Sequence, residues 1–269
     1  MRLIASDIDG TILAHDGRIS SRTIEAFRAA SAAGIEIVFV TGRPPRWLGP
    51  LREQIGHQGT VICSNGALVY DLATESALSS SCLAVPDLLA AQQAIRRLEP
   101  LASFAAETLD GLYLEPGYLT ASSPPALRDI EPRPLAESLA GGPGVLKFLA
   151  KSPQGTADEF LELVRPAITQ WVKATHSAAG VALLEMSRCG VNKAITLAEY
   201  ARSRGIPAAD VVAFGDMPND IEMLGWAGRG YAMGDGHPAA LAATSWHAPD
   251  FAADGVAQVI EERLACRTA

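Results

Sequence analysis

A chain of 269 residues is long for one minimal domain and short for three, so one large module or two linked ones is expected. With 48% apolar and 19% charged residues and no internal repeat, the composition excludes a disordered chain. The 22 basic against 30 acidic residues leave a net charge of −8, which repels phosphate backbones and excludes nucleic acid as the main partner.

Arg2 to Ser6 reads as a short buried strand ending at Asp7, and Ser21 to Gly34 as a helix with Ile24, Phe27 and Ala30 on one face. Glu36 to Val40 gives a second strand running into Thr41-Gly42-Arg43, and Thr60 to Cys63 a third running into Ser64-Asn65-Gly66. Strand, helix, strand predicts an α/β fold with a doubly wound parallel sheet. The texture then changes. Pro- and Gly-rich breaks at Ser122 to Pro125 and Gly141 to Gly144 separate hairpin-like pieces such as Phe104 to Leu114 around Asp110-Gly111, which predicts an inserted α+β module. Beyond it come a helix over Asn192 to Gly205, a strand over Val211 to Phe214, a short helix over Ile221 to Ala227 and a strand over Gly230 to Met233. The expected organisation is a core in two segments, 1–82 and 186–269, around an insertion over 83–185, with hinges at Leu83 to Pro86 and Leu184 to Ser187.

The longest apolar runs, such as Ile35 to Val40, are strand-sized, and Asp7 interrupts the N-terminus before a signal-peptide stretch develops, so a cytoplasmic chain with no membrane partner is expected. Cys63, Cys82, Cys189 and Cys266 lie far apart without a C-x-x-C pair, which predicts idle thiols.

In open α/β sheets ligands bind beyond the carboxyl ends of the strands, which directs attention to Asp7, Asp9, Thr41, Ser64, Asp216 and Asp220. Four of these six are carboxylates. Two like charges about 4 Å apart repel by about 4 kcal/mol at an effective dielectric near 20, so such a cluster requires a cation or a proton. All-oxygen ligands favour Mg²⁺, usually with substrate phosphate completing its shell.

In Asp7-Ile8-Asp9-Gly10-Thr11 the two carboxylates start on one side of a strand end, and Gly10 lets backbone N–H groups approach an oxyanion. One carboxylate can attack while the other shuttles a proton; an ordinary Asp-Gly turn is the competing reading. Thr41-Gly42-Arg43 offers a hydroxyl and N–H groups to phosphate at a helix N-terminus, or simply a helix cap. Lys193 is one of only four lysines, placed to neutralise phosphate and carboxylates, although a lone helical lysine is usually solvated. In Gly215-Asp216-Met217-Pro218-Asn219-Asp220 the two aspartates share a face if a helix starts there, with Asn219 reaching a phosphate oxygen; an acidic helix N-terminus is the alternative.

Taken in order, Asp7-x-Asp9-Gly-Thr, Thr41-Gly-Arg, Lys193 and Gly215-Asp216-x-x-Asn219-Asp220 resemble the four motifs of the haloacid dehalogenase-like phosphohydrolases. The 152 positions between Thr41 and Lys193 resemble the Cof-type branch (subfamily IIB), whose large α/β cap is inserted there. Ser64-Asn65-Gly66-Ala67, Asn219 to Leu224 and Asp254-Gly255-Val256 add local likenesses. Met233-Gly234-Asp235-Gly236 and Val191-Asn192-Lys193 depart from the usual Met-Gly-Asn-Ala and Val-Ser-Lys.

The resemblance implies that Asp7 attacks phosphorus and that Mg²⁺ is held by the Asp7 carboxylate, the Asp9 backbone carbonyl and Asp216, with Asp220 ordering the metal shell and Lys193. It implies that Asp9 protonates the leaving oxygen and then activates water. Ile8 (through its amide), Thr41, Gly42, Lys193 and Asn219 would bind phosphate. Apart from the resemblance, Arg43 is placed to reach the remote part of a substrate or is simply a surface arginine. An acid at Asp9 suits an ester oxygen better than a halide, which needs no proton. The implied activity is Mg²⁺-dependent hydrolysis of a small phosphate monoester, a sugar phosphate, nucleotide or cofactor phosphate such as pyridoxal phosphate. A phosphotransferase or mutase, and a catalytically weak phospholigand-binding protein, are the alternatives. Specificity would reside in the insertion, whose aromatics (Phe104, Tyr113, Tyr118, Phe148, Trp171) read as packing residues, and none of the five histidines receives a role.

Overall fold

The structure, a computed structural model, describes residues 1–56, 59–120, 123, 127–142, 144–178 and 180–268. Of the anticipated breaks, Ser122, Pro124, Pro125 and Pro143 lie outside the described residues, as does His57. The chain divides into two compact units, Met1–Ser79 with Asn192–Ala269, and Ser80–Val191.

The first pass through unit 1 gives β1 (Leu3–Ser6), α1 (Ser21–Ala32), β2 (Glu36–Val40), α2 (Gly49–Ile55), β3 (Thr60–Cys63), β4 (Leu68–Asp71) and β5 (Ser76–Ser80). Unit 2 follows with α3 (Val85–Leu98), β6 (Ser103–Thr108), β7 (Leu112–Leu114), α4 (Leu135–Ser138), β8 (Val145–Lys151), α5 (Ala157–Ile168), β9 (Val172–Thr175) and β10 (Leu183–Arg188). The return to unit 1 adds α6 (Lys193–Ser203), β11 (Val211–Gly215), α7 (Ile221–Trp226), β12 (Arg229–Met233), α8 (Pro238–Ala242), β13 (Trp246–Ala248) and α9 (Gly255–Thr268).

Unit 1 is built on one sheet of order β13-β12-β11-β1-β2-β3-β4-β5, parallel from β13 through β3 and antiparallel at β3–β4. This is the expected doubly wound α/β architecture. Its central strands are buried along their whole length, as parallel strands covered on both faces must be. Leu3, Ala5, Val38, Val40 and Ile62 pack with Leu197, Ala201 and Met223 of α6 and α7. On α1, Phe27 meets Phe39 edge-on at 5.3 Å between ring centroids. The α1 helix starts where Ser20 accepts the Thr23 N–H, one of the four orphan donors that every helix start must satisfy.

Unit 2 is a five-stranded sheet of order β7-β6-β8-β10-β9, antiparallel throughout, with α3 and α5 supplying its core. Thr156 and Glu159 form a capping box at the start of α5. The expected hairpin is present as β6–β7, closed where the Thr108 N–H donates to the Gly111 carbonyl at 2.8 Å. Leu184 to Ser187, expected as a hinge, instead lies inside β10, hydrogen-bonded to β8 and β9, and the unit boundary falls after Val191. No helix among the described residues is long and apolar enough to cross a membrane.

Candidate active site

The central strands of unit 1 leave in opposite directions, β1 towards β2 and β11 towards β12, which creates a crevice at their carboxyl ends. Their register pairs Ser6 with Phe214, so Asp7 and Gly215-Asp216 emerge together, and the Asp7 N–H donates to the Phe214 carbonyl at 2.9 Å. The chain then turns back, the Ile8 carbonyl accepting from Ile12 and Leu13. Gly10 sits in the left-handed region at φ +74°, and a Cβ there would lie 2.4 Å from Asp216 Oδ2. Turn geometry and the approach of Asp216 therefore both demand glycine. Thr11 donates its hydroxyl to Asp216 Oδ1 at 3.0 Å, a role the sequence pattern left unread.

Asp7, Asp216 and Asp220 each offer a carboxylate oxygen within 4.8 Å of the others. Lys193, 1% exposed, lies between two of them, its Nζ 2.5 Å from Asp7 Oδ1 and 2.7 Å from Asp220 Oδ1. It opens α6, where Asn192 caps the helix by accepting the Ile195 N–H at 2.8 Å. The departure at position 192 therefore keeps the capping chemistry of the serine it replaces.

No helix starts at Asp216, so the condition under which Asp216 and Asp220 would share a helical face is not met. A short turn over Pro218–Asp220 precedes α7, and Met217 before the proline is extended at φ −119° and ψ 167°. What joins the two is Asp220 Oδ2, which accepts the backbone N–H of Asp216 at 3.1 Å and of Met217 at 3.0 Å.

Burial raises the Asp7 carboxyl well above its ordinary range, and Asp220 and Asp216 add to the rise against the opposing charge of Lys193. Asp216 is pushed from 3.8 up to about 7, by burial first and the Asp220 charge second, against the Thr11 hydrogen bond. Burial pulls the Lys193 ammonium down, but Asp220 and Asp7 outweigh it and hold it above its ordinary value. Fully ionised, the three carboxylates would exceed what one ammonium can neutralise, and protons or a cation must make up the difference.

Thr41 is fully buried and follows β2 directly, but it does not begin a helix: its hydroxyl accepts the Arg43 N–H at 3.0 Å in a tight turn. A turn over Pro45–Trp47 precedes α2, because Pro44 and Pro45 withhold the donors a helix would use. Arg43 is bound to Asp9, Nε to Oδ2 at 2.7 Å and Nη2 to Oδ1 at 2.6 Å. The Asp9 carboxylate accordingly stands outside the cluster of the other three aspartates.

After β3, Ser64, Asn65 and Gly66 run consecutively at φ +50°, +55° and +100°. Such backbone conformations cost of order 1–3 kcal/mol each in non-glycine residues and persist where the surroundings impose them. Here the Ser64 N–H donates to the Arg43 carbonyl and the Asn65 N–H to the Thr41 carbonyl, both at 3.0 Å. Asn65 Oδ1 accepts from Asn219 Nδ2 at 3.0 Å, which uses one of the two Asn219 amide hydrogens. Ser64 Oγ and Asn219 Oδ1 are buried without a partner among the described residues. The Ile8 amide has no acceptor among the described residues, and Gly42 stands between Thr41 and Arg43. The Ser-Asn-Gly run was visible in the sequence, but nothing there fixed its task of steering Asn219.

The donors presented by Asp7, Asp216 and Asp220 are hard carboxylate oxygens, which fits Mg²⁺ and no soft metal.

Comparison with known proteins follows the same lines. A family described as haloacid dehalogenase-like hydrolase matches residues 4–260. The pyridoxal phosphate phosphatase YbhA of Escherichia coli (strain K12) is 28% identical over 281 residues, covering 98% of each chain. The HMP-PP phosphatase of Cronobacter sakazakii is 30% identical over 251 residues, covering 90% of this chain and 87% of its own. Among solved structures, the subclass IIB sugar phosphatase BT4131 superposes with a TM-score of 0.81 at 23% identity, over 97% of this chain and 98% of its own.

Proposed function

The chain belongs to the haloacid dehalogenase-like hydrolases and is a phosphoric monoester hydrolase, and from that premise we propose that it uses Mg²⁺ and an aspartyl-phosphate on Asp7 to release phosphate from a small metabolite. The observation that carries the reading is Lys193, buried at the switch point with its ammonium shared between Asp7 and Asp220. A buried lysine beside three carboxylates is costly for stability alone and is placed to meet a phosphate dianion.

In this reading Asp7 Oδ attacks phosphorus in line with the ester oxygen. Asp9 delivers a proton to that oxygen as it leaves and then takes one from the water that hydrolyses the acyl phosphate. Lys193, the Thr41 hydroxyl, the second Asn219 amide hydrogen and the N–H groups of Ile8 and Gly42 hold the phosphate oxygens, so positioning and charge neutralisation supply most of the barrier reduction. Asp7, the Asp9 backbone carbonyl and Asp216 would hold Mg²⁺, with Asp220 ordering its shell; when bound, the cation neutralises charge on the transferring phosphoryl group. Unit 2 acts as the specificity-giving cap of the Cof-type branch.

The pyridoxal phosphate and HMP-PP in the relatives' names are the first compounds to assay. Phosphate release measured across phosphorylated metabolites, with and without Mg²⁺, is expected to need the cation and to fall by roughly a thousandfold or more in Asp7→Asn. Turnover retained in Asp7→Asn would overturn the covalent mechanism.

A further inference from the structure

The Asp9 carboxylate sits on a glycine turn with its side chain 54% exposed, and among the described residues its hydrogen-bond donor is Arg43. That arginine is itself held on every side. Its Nη1 donates to the Trp47 carbonyl at 2.9 Å and its backbone N–H to the Thr41 hydroxyl at 3.0 Å, while its own carbonyl accepts from Ser64 at 3.0 Å. The Arg46 guanidinium stacks on the Trp47 ring, 4.6 Å from its centroid, at the far end of the same turn. Exposed ion pairs as a class contribute little stability. This one differs in being a two-pronged fork on a guanidinium already fixed by a main-chain carbonyl, on the loop that also carries Thr41.

We propose that Arg43 is a positioning residue for Asp9: it fixes the carboxyl that the reading above makes the proton donor to the departing ester oxygen. Arg43 fills one lone pair on each Asp9 oxygen and leaves the other free for the proton and the leaving group. Because a guanidinium is a poor proton donor, Arg43 acts through Asp9 and not on the substrate. In the step concerned, a bond forms between Asp7 Oδ and phosphorus while the P–O ester bond breaks, its electron pair passing to the ester oxygen. The proton moves from the Asp9 carboxyl to that oxygen, so the alcohol departs neutral and Asp9 is left as carboxylate. A carboxyl free to rotate on the turn would spend most of its time out of reach, and misplacement by about 1 Å can cost on the order of a hundredfold.

The test compares two esters by kcat/KM, which reports only through the first irreversible step, the phosphorylation of Asp7. An alkyl phosphate needs the proton; 2,4-dinitrophenyl phosphate expels a stable phenolate and does not. Arg43→Met is expected to lower kcat/KM for the alkyl ester roughly 10- to 100-fold and for the dinitrophenyl ester less than about threefold. Arg43→Lys, which keeps the charge but cannot form the fork, is expected to fall between wild type and Arg43→Met on the alkyl ester and guards against a folding defect. Asp9→Asn should show the same split, and adding Arg43→Met to it should cost nothing further on the alkyl ester. Equal losses on both esters, no loss on either, or additive losses in the double variant would overturn the inference. The phosphatase reading itself stands or falls separately on Asp7→Asn.

Discussion

Asp216, raised to about 7, and Asp7, raised well above its ordinary range, hold protons in the folded metal-free protein that the unfolded chain has already released. Between 3.8 and about 7 the folded state therefore binds more protons than the unfolded one, and stability must fall as pH rises through that window. Mg²⁺ competes with those protons, so its apparent affinity should rise over the same window and the slope should flatten when it is bound. Thermal melts in chelator from pH 4.5 to 7.5 are expected to show a declining Tm that is shallower in Asp216→Asn and in wild type with Mg²⁺. A variant tracking wild type in chelator would place the proton uptake elsewhere. The aspartates concerned, with Lys193, were legible in the sequence because each stands at the end of a strand or the start of a helix. The Arg43–Asp9 fork was not, since 34 positions separate the two and only the turn held by Thr41 and Trp47 brings them together.

At the scale of elements, the turn after β3 and the start of α6 are built against each other. A Cβ at Gly66, which has φ +100°, would lie 2.4 Å from the Asn192 carbonyl oxygen, and the Thr196 hydroxyl donates to the Gly66 carbonyl at 2.8 Å. Relief of that clash has to move the first turn of α6, and Lys193 with it. Gly66→Ala is accordingly expected to lose about 1–3 kcal/mol in urea unfolding and, well below its Tm, to lose roughly tenfold or more in kcat/KM. Full activity at reduced stability would show that the turn supports the fold without setting the lysine. The parallel strands and their helices were readable from apolar runs and caps, whereas β4 and β5 were not. The residues of β5 are exposed throughout, so no alternation of buried and exposed positions marks it. The start of α7 at Ile221 was legible, whereas the spacing of Asp216 and Asp220 left open a shared helical face that the separate Pro218–Asp220 turn does not provide.

Across the whole molecule, the two units carry separate apolar cores. The cluster of unit 2 runs from Leu83 to Met186 and includes Phe104 stacked on Phe148 at 5.6 Å between centroids; Leu3, Ile62 and Leu197 belong to the cluster of unit 1. In the sequence, Pro- and Gly-rich breaks mark only a change of texture after the first strand–helix repeats; the edges of unit 2 depend on pairing partners distant in the chain, as in the β10–β9 ladder. All carboxylates of the proposed metal site lie in unit 1, so Mg²⁺ contributes binding energy to that unit alone, of order RT ln(1 + [Mg²⁺]/Kd). Phe148→Ala empties a fully buried aromatic site in unit 2 and should cost about 3–5 kcal/mol there. Calorimetric titration is expected to give this variant the wild-type Mg²⁺ affinity within about twofold, because additivity holds for sites that share no partners. Scanning calorimetry should show Mg²⁺ protecting one transition and Phe148→Ala lowering the other. A single transition moved by both would mean that the two cores melt as one.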